Sequence, residues 1–114
     1  ETSIISTVRN RDIINISDRE ALFREIKGYD VAFCLKIFDG LESQQQGITR
    51  KTLTALMTLM NKGVIASFST RSISGSTVIT SERDWFLRIL NDKGFQYNII
   101  QSSTEKYYCI KPQT

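Results

Sequence analysis

The sequence predicts a single α+β domain over residues 1–114, with three helices packed on a mainly antiparallel sheet. Three observations carry that prediction. Apolar residues recur at helical spacing in three stretches, and alternating runs rich in β-branched and aromatic residues lie between them. Gly28, Gly63 and Gly94 follow those stretches, where a left-handed stop is expected. The 114 residues are 40% hydrophobic and 24% charged, which is enough for one core and too apolar for disorder.

The elements follow in order. Residues 1–11 lack periodicity and read as a loose or edge segment. Residues 12–16 are short and apolar, a strand. Ser17 and Glu20 have capping-box spacing, and Leu22, Phe23 and Ile26 form the stripe of a first helix. Residues 29–38 alternate, with apolar residues on both faces, which predicts a central strand ended by a turn at Asp39 and Gly40. A polar connector, 42–46, leads to a second helix with Thr49 as N-cap. There Leu53, Leu56, Met57 and Met60 fall at i, i+3, i+4 and i+7.

Residues 64–69 and 77–80 read as strands around a turn at Ser74, Gly75 and Ser76. Ser81 caps a third helix carrying Trp85, Phe86, Ile89 and Leu90. Residues 95–101 and 106–111 close the chain as a hairpin. The chain opens on Glu1 rather than methionine, so processing or a longer parent chain is expected.

Composition excludes several chemistries. With no histidine, the usual general base at neutral pH and the commonest metal ligand are missing. Neither a P-loop nor a Gly-x-Ser-x-Gly elbow is present. The carboxylate pairs Asp18/Glu20 and Glu82/Asp84 fall in first helical turns, where the helix dipole accounts for them. Lys93, Gly94 and Phe95 start like an RNA-recognition signature, but Gln96 and Ile100 break it, and Phe95 and Tyr97 are expected in the core. No catalytic residue, metal site or cofactor is expected. Cys34 and Cys109 lie in apolar strand runs and read as buried, reduced thiols, which favours a cytoplasmic chain. No apolar run approaches the ~20 residues of a membrane span, so a membrane partner is not expected.

The net charge of +3 is unevenly spread. Between Glu42 and Glu82 there is no carboxylate, while Arg50, Lys51, Lys62 and Arg71 fall inside. Arg50 and Lys51 occupy a first helical turn, where cations oppose the dipole at roughly 0.3–1 kcal/mol each. Residues 47–80 resemble the recognition helix and wing of winged helix-turn-helix DNA-binding domains: Gly47-Ile-Thr-Arg50 opens the helix, Lys62-Gly-Val-Ile65 ends it, and a basic Ser/Gly-tipped hairpin follows. The resemblance implies a transcription-regulatory module. Thr49, Arg50, Lys51 and Thr54 would enter the major groove, and Arg71, Ser72 and Ser74 would hold the backbone. The competing expectation is a non-catalytic protein-interaction or assembly domain, open to homodimerisation, that uses Tyr97, Tyr107 and Tyr108 of the terminal hairpin.

Overall fold

A computed structural model describes residues 12–70 and 83–112. Within them the chain is α+β, with four helices and a four-stranded mixed sheet. The elements are α1 (Ile16–Ile26), β1 (Val31–Leu35), α2 (Phe38–Gln44), α3 (Ile48–Leu59), β2 (Gly63–Ser69), α4 (Asp84–Lys93), β3 (Gln96–Gln101) and β4 (Glu105–Lys111). The strands lie in the order β1-β2-β4-β3. β1 and β2 are parallel and the other two pairs antiparallel. The connection from β1 to β2 runs through α2 and α3, as a parallel pair requires.

Several local expectations are corrected. The strand expected at 12–16 is absent; α1 starts at Ile16 instead. Its N-cap is Asn15, whose side chain accepts from the Asp18 amide at 3.0 Å, so the capping role assigned to Ser17 falls two residues earlier. The strand at 29–38 shrinks to Val31–Leu35, because Phe38 is fully buried in the first turn of α2. Asp39 and Gly40 are thus helical, and most of the supposed connector is helix. Asp39 also accepts at 2.7 Å from the Arg83 guanidinium, which donates to the Ser69 carbonyl at 3.1 Å and ties α2 to the start of α4. Residues 71–82, which include the expected strand at 77–80 and the Ser81 cap, lie outside the described residues.

The core fills one face of the sheet. Cys34, Val64, Ala66, Phe68, Tyr108 and Ile110 meet Phe38 of α2, Leu53, Leu56 and Met57 of α3, and Phe86, Ile89 and Leu90 of α4. The helical stripe of α3 is therefore buried as its spacing requires. α1 adds Phe23 and Ile26 at the margin. Gly94 ends α4 in the left-handed conformation expected of it, at φ 70°. Gly63 does not end α3, which stops at Leu59 with Met60 as cap; Gly63 opens β2 at φ 128°. No helix among the described residues is long and apolar enough to cross a membrane.

Candidate functional site

The basic helix comes first. α3 begins at Ile48 behind Gly47, whose φ of 91° makes it the N-cap in place of Thr49. Thr49 is fully buried. The group that satisfies the helix start comes from α2: Glu42 accepts from the Gly47 amide at 2.7 Å and from the Thr49 amide at 3.1 Å. A carboxylate thus lies on the positive end of the α3 dipole, where it offsets Arg50 and Lys51. Arg50 is itself paired with Asp92 of α4 at 2.9 Å. Thr54 turns its hydroxyl back to the Arg50 carbonyl at 2.7 Å, and Thr58 turns its own to the Thr54 carbonyl at 3.1 Å. Lys51 is exposed. Arg71, Ser72 and Ser74 lie outside the described residues.

The acid-free window of the sequence is therefore supplied with acids by the fold, from Glu42 just before it and Asp92 beyond it. The strand after α3 is also the inner strand β2, which lies between β1 and β4; the second arm of the expected hairpin lies outside the described residues.

Burial pushes the Glu42 carboxyl up, but hydrogen bonds from Gly47 and Thr49 outweigh it and leave its pKa below the usual value. Stability from such a group is present above the unfolded value of ~4.3 and is lost as pH falls through the lowered folded value. Glu42→Gln is expected to cost about 0.5–2 kcal/mol at pH 7, a capping-scale loss. Urea melts of both proteins should converge as pH drops below about 4. A gap of constant size down to acid pH would show that the charge of Glu42 does not hold the cap.

The second surface is the other face of the sheet. Alternation sends Phe33 and Leu35 of β1, Ile65 of β2, Tyr107 and Cys109 of β4 and Ile100 of β3 away from the helices. Phe33 is 66% exposed, Leu35 51% and Ile100 60%. These six side chains line one shallow, wholly apolar groove across all four strands. A second shallow hollow, lined by Val31, Lys62 and Lys111 among others, shares Ile65 and Cys109 with it.

The opposite end is polar and fixed. Lys36 reaches Glu105 at 3.5 Å, and the Tyr107 hydroxyl donates to Glu105 at 2.7 Å. That bond to Glu105, with lesser help from burial and the carboxylate charge, raises the Tyr107 pKa. Lys36 adopts a left-handed φ of 60°, and its amide donates to both the carbonyl and the hydroxyl of the fully buried Ser67, each at 3.1 Å.

No protein-family model matches the chain, and no curated protein matches it either.

Of the three tyrosines expected to form a contact surface, only Tyr107 is on the open face. Tyr108 is buried at 1% exposure, and Tyr97 packs toward it with ring centroids 6.2 Å apart. Consecutive strand residues must face opposite ways, so 107 and 108 could not share a surface. Sequence reasoning missed Phe33, Leu35, Ile65 and Ile100; for Phe33 and Leu35 a signal lay in the two-faced apolar pattern of 29–38. That pattern suggests a strand buried on both sides, whereas among the described residues β1 is an edge strand with one face uncovered. Cys109 is also only half-buried, against the expectation for both thiols. Cys34 is in the core, where burial pushes its pKa up to about 12. The two free thiols sit on opposite faces of the sheet. Among the described residues no three His, Cys, Asp or Glu side chains cluster as metal ligands would.

Proposed function

We propose that this chain is a non-catalytic protein-interaction or assembly domain that docks a protein partner on the open face of its sheet. The carrying observation is the six-residue apolar groove. Large apolar side chains exposed singly are ordinary, but here the exposed Phe33, Leu35 and Ile100 are joined by half-buried Ile65, Tyr107 and Cys109 into one apolar groove across the sheet, as at an interaction surface. The reading keeps the terminal hairpin as contributor, through Tyr107, Cys109 and Ile100, and adds β1 and β2.

The competing reading is duplex binding through Arg50, Lys51 and Thr54, with Arg71, Ser72 and Ser74 from the following segment, in the manner of a winged-helix regulator. It draws on the acid-free window of the sequence and on the exposed Lys51.

Cys109 provides a built-in reporter of the face. In the free protein it should react with a thiol reagent while Cys34 stays unreactive until denaturant is added. A partner recovered by photo-crosslinking from position 33 and then purified should protect Cys109, and Phe33→Asp should abolish its binding without lowering the melting temperature. Binding that survives Phe33→Asp would defeat the proposal. Duplex binding with a log–log salt slope of about −3 to −4, flattened by about one in Arg50→Ala and in Arg71→Ala, would establish the competing reading.

A further inference from the structure

The outer edge of β3 is a surface distinct from the open face. Among the described residues β3 pairs only with β4 and ends the sheet. Two neighbouring residues on it are both exposed, Ile99 at 45% and Ile100 at 60%. Their register places them on opposite faces: Ile100 lies opposite Tyr107 on the open side, and Ile99 opposite Tyr108 on the core side. A partner resting on the open face would cover Ile100 and leave Ile99 in water. A strand added in the plane of the sheet meets both, because its side chains flank the edge above and below.

β1, at the other edge, lacks this feature. Its exposed Phe33 and Leu35 share one face, and the alternate residues Ala32 and Cys34 pack into or against the core.

The hairpin fixes which groups on β3 are free. The Ser102 amide donates to the Glu105 carbonyl at 2.8 Å, so these two form a hydrogen-bonded pair. Alternation repeats that geometry at Ile100/Tyr107, Asn98/Cys109 and Gln96/Lys111. Tyr97, Ile99 and Gln101 therefore point their amides and carbonyls outward. Gln96–Gln101 holds no proline and no charged residue, the usual devices that blunt an edge.

We infer that two copies of this chain pair through β3, antiparallel and centred on Ile99, to form one continuous eight-stranded sheet. In this register Ile99 faces Ile99 of the second copy and Tyr97 faces Gln101. Every outward backbone group is then used: three pairs with two bonds each, about six bonds in all. The two-fold axis stands perpendicular to the sheet, so each face continues into its own kind. Ile100 lies opposite Asn98 of the second copy on the open side. A single six-residue strand gives an interface below the ~1,200–2,000 Å² of stable complexes, so the dimer is weak, with a dissociation constant on the order of 10–100 μM. The pairing does not depend on the protein partner proposed above, since the open face stays uncovered.

Sedimentation velocity from about 10 μM to about 1 mM tests it, together with amide hydrogen exchange at both ends of that range. The mass should approach twice the monomer value at the upper end. The amides of Tyr97, Ile99 and Gln101 should slow with concentration, while those of Asn98 and Ile100, already bonded to β4, should not. Ile99→Pro deletes the central outward amide without touching a bond to β4, so it should remain monomeric throughout. Phe33→Asp should dimerise as the natural sequence does. A monomer at about 1 mM, or exchange independent of concentration, would overturn the inference, and the exchange result stands even if the proline variant fails to fold. Dimerisation lost in Phe33→Asp and kept in Ile99→Pro would place the contact on the open face or on β1 instead.

Discussion

Replacing Phe86 with alanine is expected to remove about 3–5 kcal/mol of stability, a large share of the ~5–15 kcal/mol that holds a domain of this size. The side chain is fully buried and joins α4 to three other elements of the core. Its ring lies 5.8 Å from Phe38 of α2, 4.8 Å from Phe68 of β2 and 5.1 Å from Tyr108 of β4. Truncation removes the transfer free energy of the ring and leaves a cavity that three other rings cannot fill without leaving their own contacts. The melting temperature should fall by roughly 10–25 °C. Phe86→Leu, which keeps most of the volume, should cost far less. Equal losses in the two variants would mean that the ring contacts matter more than the filled space.

Gly63→Ala is the second large effect, expected at about 3 kcal/mol or more. Two costs add at this position. The φ of 128° is rarely adopted by a residue with a side chain. A Cβ there would also overlap the carbonyl oxygen of Ile110 and press on the Lys111 Cα at 3.3 Å, both of them backbone with little freedom to move. Gly28 separates the two contributions. Its φ is 91°, but a Cβ would meet nothing within 4 Å, so Gly28→Ala should lose only the conformational part, about 1–2 kcal/mol. Denaturant melts of both variants give the difference. Equal losses would mean that β2 and β4 separate at this end of the pair easily enough to admit a methyl group.

The parts of the fold legible in the sequence were those set by local spacing. The stripe of Leu53, Leu56, Met57 and Met60 needs only the helical period to be recognised, and all four are buried. The stop at Gly94 and the hairpin that follows depend on residues close in sequence, and they fall within a residue or two of expectation. What could not be seen were arrangements set at a distance. α2 was hidden because Phe38 continues an alternating pattern and Asp39-Gly40 resembles a turn. Its helical state depends on burying Phe38 against Phe86 and on the bond from Arg83 to Asp39, forty-four residues away. Thr49 has the residue type of a cap, but Gly47 holds the N-cap position and the carboxylate that satisfies the helix start comes from Glu42, seven residues before Thr49, once α2 folds back. The charge window misled in the same way, since Asp92 reaches Arg50 across the tertiary structure. At the open face the alternation was readable, but which side of the sheet the helices would cover was not.

The strand order has a consequence for how the chain is made. β2 is complete by Ser69, yet one of its two neighbours, β4, begins only at Glu105. During vectorial synthesis the parallel β1–β2 unit, with α2 and α3, emerges before β4, and among the described residues the antiparallel side of β2 has no strand to pair with until β4 leaves the ribosome. Until then Val64, Ala66 and Phe68 present a bare flank, with Phe68 lacking its contacts to Phe86 and Tyr108. A nascent chain paused before residue 105 is thus a strand template seeking a mate, the state in which chaperone capture or mispairing between neighbouring polysomes would occur.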